Sequence, residues 1–593
     1  MYAKYLKKIC PFDATISNNY MYLWNFKNTS IMEQTTVPEI VRIKIIATSD
    51  VHGAIFPYDF IENEPLNTSL AQVYTYIKEQ RAVESQDVIL LDNGDFLQGQ
   101  PVVYYSNYEN YDGTHICADV MNFMGYDAAS VGNHDIETGH EVYDKLIKDF
   151  KFPWLAANAV HKGTDEPYFQ PYTILDRHGV KIAIIGLITP SIPTWLPEYL
   201  WTGMEFKDMV ETARRWVKVV KEQEHADIVV GLFHSGVDST YNNRSDQDFM
   251  NENASSLVAT QVPGFDLIFA GHDHQEANTV VRNCEGQRVI ILDPKNCARL
   301  AAVASIQVKK DGDKIIDKKI TGLIMEMNSC EPDREMMRRY SKYIHIVKDY
   351  VSKPIAKFTR TVSSRDAMFG NSAFVDLIHS IQLEETGADI SFAAPLTFDS
   401  KVSKGVVCIR DMFKLYKFEN LLYTMRLSGR EILGYLEYSY SSWFNEMSDR
   451  KDHLVLFEVD EKGNNRTAGK FYNYSSASGI RYTVDLQKPA GEKITILGFM
   501  DGRPFNLDAT YTVAINSYRG NGGGGHLTEG AGIPHEQLLD RIVASSVKDL
   551  RYIIMKHIEE KRVVSPHALG NWKAVPQEFW TRGRKKDYQL MYD

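Results

Sequence analysis

Cysteine is scarce and scattered. The 593 residues hold six, at positions 10, 117, 284, 297, 330 and 408, and no two form a CxxC pair. A disulfide-stapled scaffold and a zinc ribbon are therefore excluded; Cys284 and Cys297 could pair, which spacing alone does not decide. No run of about 18 apolar residues occurs, so no transmembrane helix is expected. Positive charge is also short: 66 Lys and Arg stand against 77 Asp and Glu, a net charge of −11. That balance excludes the broad basic face with which proteins hold nucleic-acid polymers. A small anionic substrate remains open, but the charge that holds it must be local, and a metal is one source. At 44% hydrophobic and 24% charged the chain is of globular composition, and its length predicts two to four domains. Residues 1–36 carry early lysines, but Cys10–Ser30 is broken by Pro11, Asp13, Asn18, Asn19 and Asn25. The segment lacks the apolar core of a signal peptide and reads as an extension, with Met32 a second candidate start.

What is present is a repeated theme. Short apolar runs rich in β-branched residues occur at Arg42–Ser49, Val88–Leu91, Ala128–Val131, Lys181–Thr189, Ile228–Phe233 and Leu267–Ala270. Such runs predict buried strands. Amphipathic stretches lie between them, among them Leu70–Val83 and Met209–Glu222, and the alternation predicts a layered α/β domain. Met336, Met337, Tyr340, Tyr343, Ile344, Val347 and Tyr350 then recur at helical spacing before Pro354. They predict one helix over Glu331–Val351, either a hinge or a packed connector. A second α/β segment follows, with one low-complexity feature, the glycine-rich Gly520–Gly532. The end, Arg582–Asp593, is charged and reads as a loose tail.

Several apolar runs end in small clusters of Asp, Asn and His. In order these are Ser49-Asp50-Val51-His52-Gly53, Asp92-Asn93-Gly94-Asp95, Gly132-Asn133-His134-Asp135, Phe233-His234-Ser235-Gly236 and Gly271-His272-Asp273-His274. In an α/β sheet, sites form outside the carboxyl ends of the strands, so clusters more than 200 residues apart can converge. A lone histidine at a strand end is usually just a satisfied polar residue. Five such clusters in order are a nitrogen and oxygen ligand set, suited to Zn, Mn, Fe, Ni, Co or Mg and lacking the thiolates of a structural zinc site.

The ordered pattern DxH, GD, GNH[DE], H and GHxH resembles the calcineurin-like metallophosphatase superfamily over about Val41–Leu323. The resemblance implies a four-layer sandwich with a two-metal centre. Asp50, His52 and His274 would hold one divalent ion, Asn133, His234 and His272 the other, and Asp95 would bridge them. A bridging carboxylate partly offsets two dications about 3.5–4 Å apart, and metal-bound water with a lowered pKa would be the nucleophile. His134 would stabilise the transition state or aid the leaving group, oriented by Glu137 or its rival Asp135.

The second half narrows the substrate. Asn516-Ser517-Tyr518-Arg519-Gly520-Asn521-Gly522-Gly523-Gly524, Phe471-Tyr472-Asn473-Tyr474 and Leu415-Tyr416-Lys417-Phe418-Glu419-Asn420 resemble the C-terminal domain of 5′-nucleotidases. So do Ser428-Gly429-Arg430-Glu431 and Asn571-Trp572-Lys573. In that family two aromatic rings sandwich the base; by motif position these would be Tyr474 and Tyr518, with Asn521 a candidate ribose contact. The glycine-rich loop lacks the GK[ST] ending of a phosphate-cradling P-loop. Two departures stand out: Gly524 where many relatives carry an acid in a GGDG pattern, and Ala393-Ala394-Pro395-Leu396-Thr397-Phe398 where many carry Asn-Gly-Gly-Gly-Ile-Arg. Both look more like the 2′,3′-cyclic-nucleotide 2′-phosphodiesterase/3′-nucleotidase branch.

The expected organisation is an extension (1–40), a metallophosphatase domain (41–325), a connecting helix (326–354), an α/β nucleotide-binding domain (355–575) and a tail (576–593). The expected activity is hydrolysis of nucleotide phosphoesters to nucleoside and phosphate. The alternatives are another ester, such as a UDP-sugar or a thiosulfate ester, or a non-catalytic nucleotide-binding homologue. Relatives are mostly periplasmic or extracellular, whereas no signal peptide is visible here.

Overall fold

The computed structural model describes residues 38–593, apart from 111–112, 242–243, 246–247, 460–462 and 464. The first 37 residues of the expected extension lie outside the described residues.

Two six-stranded sheets form the first domain. In the first, Glu39–Thr48, Asp87–Asp92, Ala128–Ser130 and Trp154–Leu155 run parallel, and Leu300–Asp311 and Lys314–Glu326 add an antiparallel edge. In the second, Val180–Ile188, Ile228–His234, Leu267–Phe269 and Arg288–Pro294 run parallel between two antiparallel edge strands. Alternate residues of a strand face opposite ways. Ile43, Ile45, Ile89 and Leu91 pack against Ile182, Ile184, Val230, Leu232 and Phe269 in a dry layer between the sheets. The residues between them face helices instead. Ile46, Leu90 and Ala129 join one outer core, and Ile185, Val229 and Ile268 pack with Met209, Ala213 and Val217 in the other. Burial on both faces is why these strands read as continuous apolar runs. The result is a four-layer α-β-β-α sandwich.

The helix Met209–Glu222 has the bounds the sequence predicts, and the Asp208 side chain accepts from the Val210 and Glu211 N–H groups at its start. The expected single connector is two helices, Arg334–Arg339 and Ser341–Val351, broken at Tyr340. Met336, Tyr340, Ile344, Val347 and Tyr350 are buried in the first domain's core together with Ile409 and Phe413 of the second. A side-chain period that runs across the break hides the backbone change at Tyr340.

In the second domain a five-stranded sheet, ordered Ser476–Ser478, Ile390–Ala393, Thr510–Asn516, Leu421–Ser428 and Ile542–Asp549, is flanked by the helices Ala373–Thr386 and Gly429–Ser441. The expected loose tail is instead a docked helix, Gln577–Tyr592. Buried Asp587 accepts from His453 Nδ1 at 2.5 Å and from the Leu454 and Val455 N–H groups at 2.7 and 2.8 Å. Trp580 Nε1 donates to the Phe369 carbonyl at 2.7 Å. Cys117, Cys284, Cys297, Cys330 and Cys408 are free thiols, so Cys284 and Cys297 do not pair.

Candidate metal centre and facing cleft

The clusters converge at the carboxyl ends of the parallel strands of both sheets. The turns that carry them are tight. Among the described residues thirteen non-glycine positions have positive φ, and Asp50, His52, Asp95, His272 and His274 are five of them. Such strain costs of order 1–3 kcal/mol per residue and persists where the surroundings over-determine it. Glycine is required beside them: a Cβ on Gly132 would lie 2.2 Å from Asp95 Oδ1, and one on Gly271 2.1 Å from Ser49 Oγ.

The donor atoms form two groups, Asp50, His52 and His274 in one and Asp95, His234 and His272 in the other, each within 4.8 Å. Asn133 completes the second, its Oδ1 lying 3.0 Å from His234 Nε2 and 2.8 Å from His272 Nδ1. The outer atoms of the rings are anchored. His52 Nδ1 donates to the Gln98 carbonyl at 3.1 Å and His234 Nδ1 to the Asn93 carbonyl at 2.7 Å, which leaves Nε2 of each turned inward. His272 is reversed: Nε2 meets Glu252 Oε1 at 3.1 Å and Nδ1 faces the group. Such outer partners fix the tautomer and the aim of metal-binding imidazoles.

Burial, reinforced by the neighbouring His274, holds His52 well below its ordinary pKa, and burial lowers His274 to about 3. Both therefore present lone pairs, and their Nε2 atoms are only 2.9 Å apart. Burial alone would raise Asp95, but His234 and His134 outweigh it and keep the carboxyl well below its usual range. His234 differs: Asp95 outweighs its burial and raises it to about 10, so a cation held there displaces a ring proton. Imidazoles and buried carboxylates aimed at common points fit divalent cations; Asn93 stands in one of the sequence clusters, whereas Glu252 and Gln98 are outer partners that no motif announces.

His134 Nδ1 lies 2.5 Å from Glu137 Oε2, and its backbone N–H donates to Asp95 Oδ1 at 2.8 Å. Burial opposes charge on the ring, yet Asp95 and Glu137 together raise its pKa to about 9. Asp135 does not take the orienting role. Its two oxygens accept from the N–H groups of Gly132, Asp95, Phe96 and Leu97 at 2.8–3.2 Å, so it shapes the Asp95 turn.

The second domain faces this centre. Phe418 lies parallel to the His134 ring, 6.4 Å between centroids at 8°. Asn521 Nδ2 donates to the Trp195 carbonyl at 3.4 Å, and the Trp195 indole stacks on His272 at 5.4 Å. Tyr474 is not at the cleft. It is 2% exposed, stacked on Trp443 at 5.5 Å and edge-on to Tyr440 at 5.4 Å. A ring enclosed in this way has no free face for a base. Tyr472, two positions earlier in the turn Phe471–Asn473, is half-buried, as is Tyr518; burial and then the Tyr518 phenol push the Tyr472 hydroxyl up to about 12, against a hydrogen bond with Tyr241 of the first domain. Arg519 fastens the two elements: Nη1 donates to the Gly523 carbonyl at 2.8 Å and Nη2 to the Tyr472 carbonyl at 2.7 Å. Its guanidinium also fills the space beside Gly524, where a Cβ would lie 2.0 Å from Arg519 Nη1.

Comparison with known proteins agrees with this geometry. The calcineurin-like phosphoesterase family model matches residues 43–276, and that of the 5′-nucleotidase C-terminal domain matches residues 347–529. The chain is 27% identical to a trifunctional nucleotide phosphoesterase of Bacillus subtilis over 92% of its own length, though it spans only 39% of that longer protein. It is 26% identical to a 2′,3′-cyclic-nucleotide 2′-phosphodiesterase/3′-nucleotidase of Haemophilus influenzae, covering 90% of this chain and 88% of that one. Among solved structures, a Staphylococcus aureus chain determined with alpha-ketoglutarate shares the fold at a TM-score of 0.72 and 20% identity, covering 90% and 99% of the two chains. A Thermus thermophilus 5′-nucleotidase precursor shares it at 0.60 and 22%, covering 90% and 100%. The chain thus joins a segment that matches the calcineurin-like phosphoesterase model to one that matches the 5′-nucleotidase C-terminal domain model, and it is a phosphoester hydrolase.

Proposed function

We propose that the enzyme hydrolyses nucleotide phosphoesters to nucleoside and phosphate with two divalent cations, and that 2′,3′-cyclic and 3′-nucleotides are preferred over 5′-nucleotides. The observation that carries the reading is the pair of donor groups beside the His134–Glu137 couple, with Phe418 of the second domain lying over His134. In this reading Asp50, His52 and His274 hold one cation, Asn133, His234 and His272 the other, and Asp95 lies between them. When bound, the cations supply positive charge that polarises a phosphoryl group and acidifies a water molecule.

The chain's own residues do the rest. Gln98, Asn93 and Glu252 keep the imidazoles aimed. Glu137 fixes the His134 ring and sustains its positive charge, which makes it a donor to the oxygen on which charge develops. Tyr472 and Tyr518 take the base between them in place of the pairing expected with Tyr474. Base stacking tolerates different bases because each has a π-face. Buried Asn521, whose Oδ1 has no protein partner, remains the candidate ribose contact.

The preference for the 2′,3′ edge is supported by Arg519 and Gly524. The first closes the space beside the second, so no acidic side chain fits there to hold a ribose diol. Relatives named for 2′,3′-cyclic nucleotides, at 25–26% identity over about nine-tenths of the chain, point the same way. The test is a panel of 2′,3′-cyclic AMP, 3′-AMP, AMP and UDP-glucose, each with Mn²⁺, Zn²⁺, Co²⁺ and Mg²⁺. Higher kcat/KM for the first two is expected. A clear lead for AMP would reverse the preference, and one for UDP-glucose would replace the substrate class.

A further inference from the structure

We propose that Lys417 is a phosphate-binding residue: its ammonium group, carried by the second domain, receives the phosphoryl oxygens of a substrate held at the donor groups of the first. This rests on the phosphoesterase reading above.

The backbone of residue 417 is fixed from both domains. Buried Arg551 donates from Nε to the Tyr416 carbonyl at 2.8 Å and from Nη2 to the Lys417 carbonyl. Its guanidinium lies 4.2 Å from the Phe413 ring and 5.1 Å from the ring of Tyr104, which belongs to the first domain. From that domain Gln98 Nε2 reaches the Lys417 carbonyl at 3.5 Å. The carbonyl of the same Gln98 is the acceptor for His52 Nδ1, at 3.1 Å. The next residue, Phe418, lies over His134. Lys417 thus stands between a candidate metal ligand and the candidate proton donor, on the opposite wall of the cleft.

The local charge is arranged to leave this ammonium available. Lys414 takes Glu62 at 2.6 Å, and Arg551 takes Glu419 at 2.6 Å. Lys417 is exposed, forms no ion pair among the described residues, and rests 5.5 Å from the Phe418 ring centroid. A cation facing a site built to hold two more is repelled until an anion lies between them. A phosphoryl group is such an anion, and with it in place the same charges attract. The contact is to the phosphoryl oxygens, so it serves nucleotides, simple aryl phosphates and inorganic phosphate alike.

The test uses the full-length, metal-loaded enzyme and its Lys417→Gln and Lys417→Arg variants, with inorganic phosphate as the probe in titration calorimetry. Lys417→Gln is expected to weaken phosphate binding about tenfold or more, the scale of one hydrogen bond to a charged group. Metal content and thermal unfolding should be unchanged. KM for p-nitrophenyl phosphate and for the nucleotide should rise by similar factors, and Lys417→Arg should recover most of the loss. Phosphate bound as tightly by Lys417→Gln as by the parent enzyme overturns the proposal, as does a parent enzyme that binds no phosphate. A parent enzyme that binds phosphate yet hydrolyses no nucleotide contradicts the proposed function, while the calorimetric comparison still decides the role of Lys417.

Discussion

Three tyrosines lie within or beside two short motifs, and their surroundings assign them different jobs. Tyr474 is enclosed by Trp443, Tyr440 and Phe444, with ring centroids 5.4–5.5 Å away. Tyr472 and Tyr518 are half-buried, are tied through Arg519, and are the rings proposed to take the base. Tyr518→Ala removes one stacking face, worth about 1–3 kcal/mol per base, or roughly 5- to 150-fold in nucleotide KM. Tyr472→Ala should act in the same way and to a similar extent. Neither change should move kcat/KM for p-nitrophenyl phosphate by more than about twofold, because its phosphoryl group meets the same donors. Tyr474→Ala empties a core position and is expected to cost about 3–5 kcal/mol of stability, seen as a lower unfolding temperature. Its effect on nucleotide KM in the folded fraction should be small. The assay is phosphate release from both substrates at saturating metal, with thermal unfolding of each variant. Equal losses on both substrates for Tyr472→Ala and Tyr518→Ala would refute the cleft assignment. So would a Tyr474→Ala variant of normal stability with a raised nucleotide KM.

Glu252→Gln should loosen the His272 ring and weaken metal affinity by about 10- to 100-fold, read by competition with a chelating dye, while secondary structure stays intact. Deleting residues 577–593 should destabilise the second domain, since Asp587 and Trp580 leave with the helix; limited proteolysis would reveal unchanged resistance if the helix were dispensable. His115 and His379 are buried, and burial depresses each to about 3. A depressed histidine binds its proton more readily in the unfolded chain, so stability is full above the unfolded value of about 6.5 and falls as pH drops towards 3. The slope is about 1.4 kcal/mol per pH unit for each group. His115→Asn keeps an acceptor for the Cys117 N–H and removes one titration, so the unfolding temperature of the variant should fall less steeply between pH 6.5 and 5.

Much of this architecture is legible in the chain. Strands buried on both faces leave continuous apolar runs, and the turns after them must carry the few residues able to bind cations, so Asp50, His52, Asp95, Asn133, His234, His272 and His274 stand out by composition and order. Residues that act through a backbone carbonyl or across domains leave no such trace. Gln98 serves His52 through its main chain, and Glu252 meets His272 only in three dimensions. Motif position points to Tyr474 rather than Tyr472 because Phe471–Asn473 is a short helical turn, and which of two nearby rings faces outward depends on how that turn packs. The terminal helix is hidden by its charge: Arg582, Arg584, Lys585 and Lys586 look solvated, while Asp587 is buried as a backbone acceptor.

The central claim is that two cations held by these donors make a nucleotide phosphoesterase. The most direct measurement strips the protein with EDTA and titrates Mn²⁺ back while following hydrolysis of 2′,3′-cyclic AMP and counting bound metal. No turnover is expected without metal, recovery should be complete near two ions per chain, and Asp95→Ala should show neither binding nor recovery. Hydrolysis that survives EDTA, or full metal binding with no hydrolysis of any nucleotide, would contradict it.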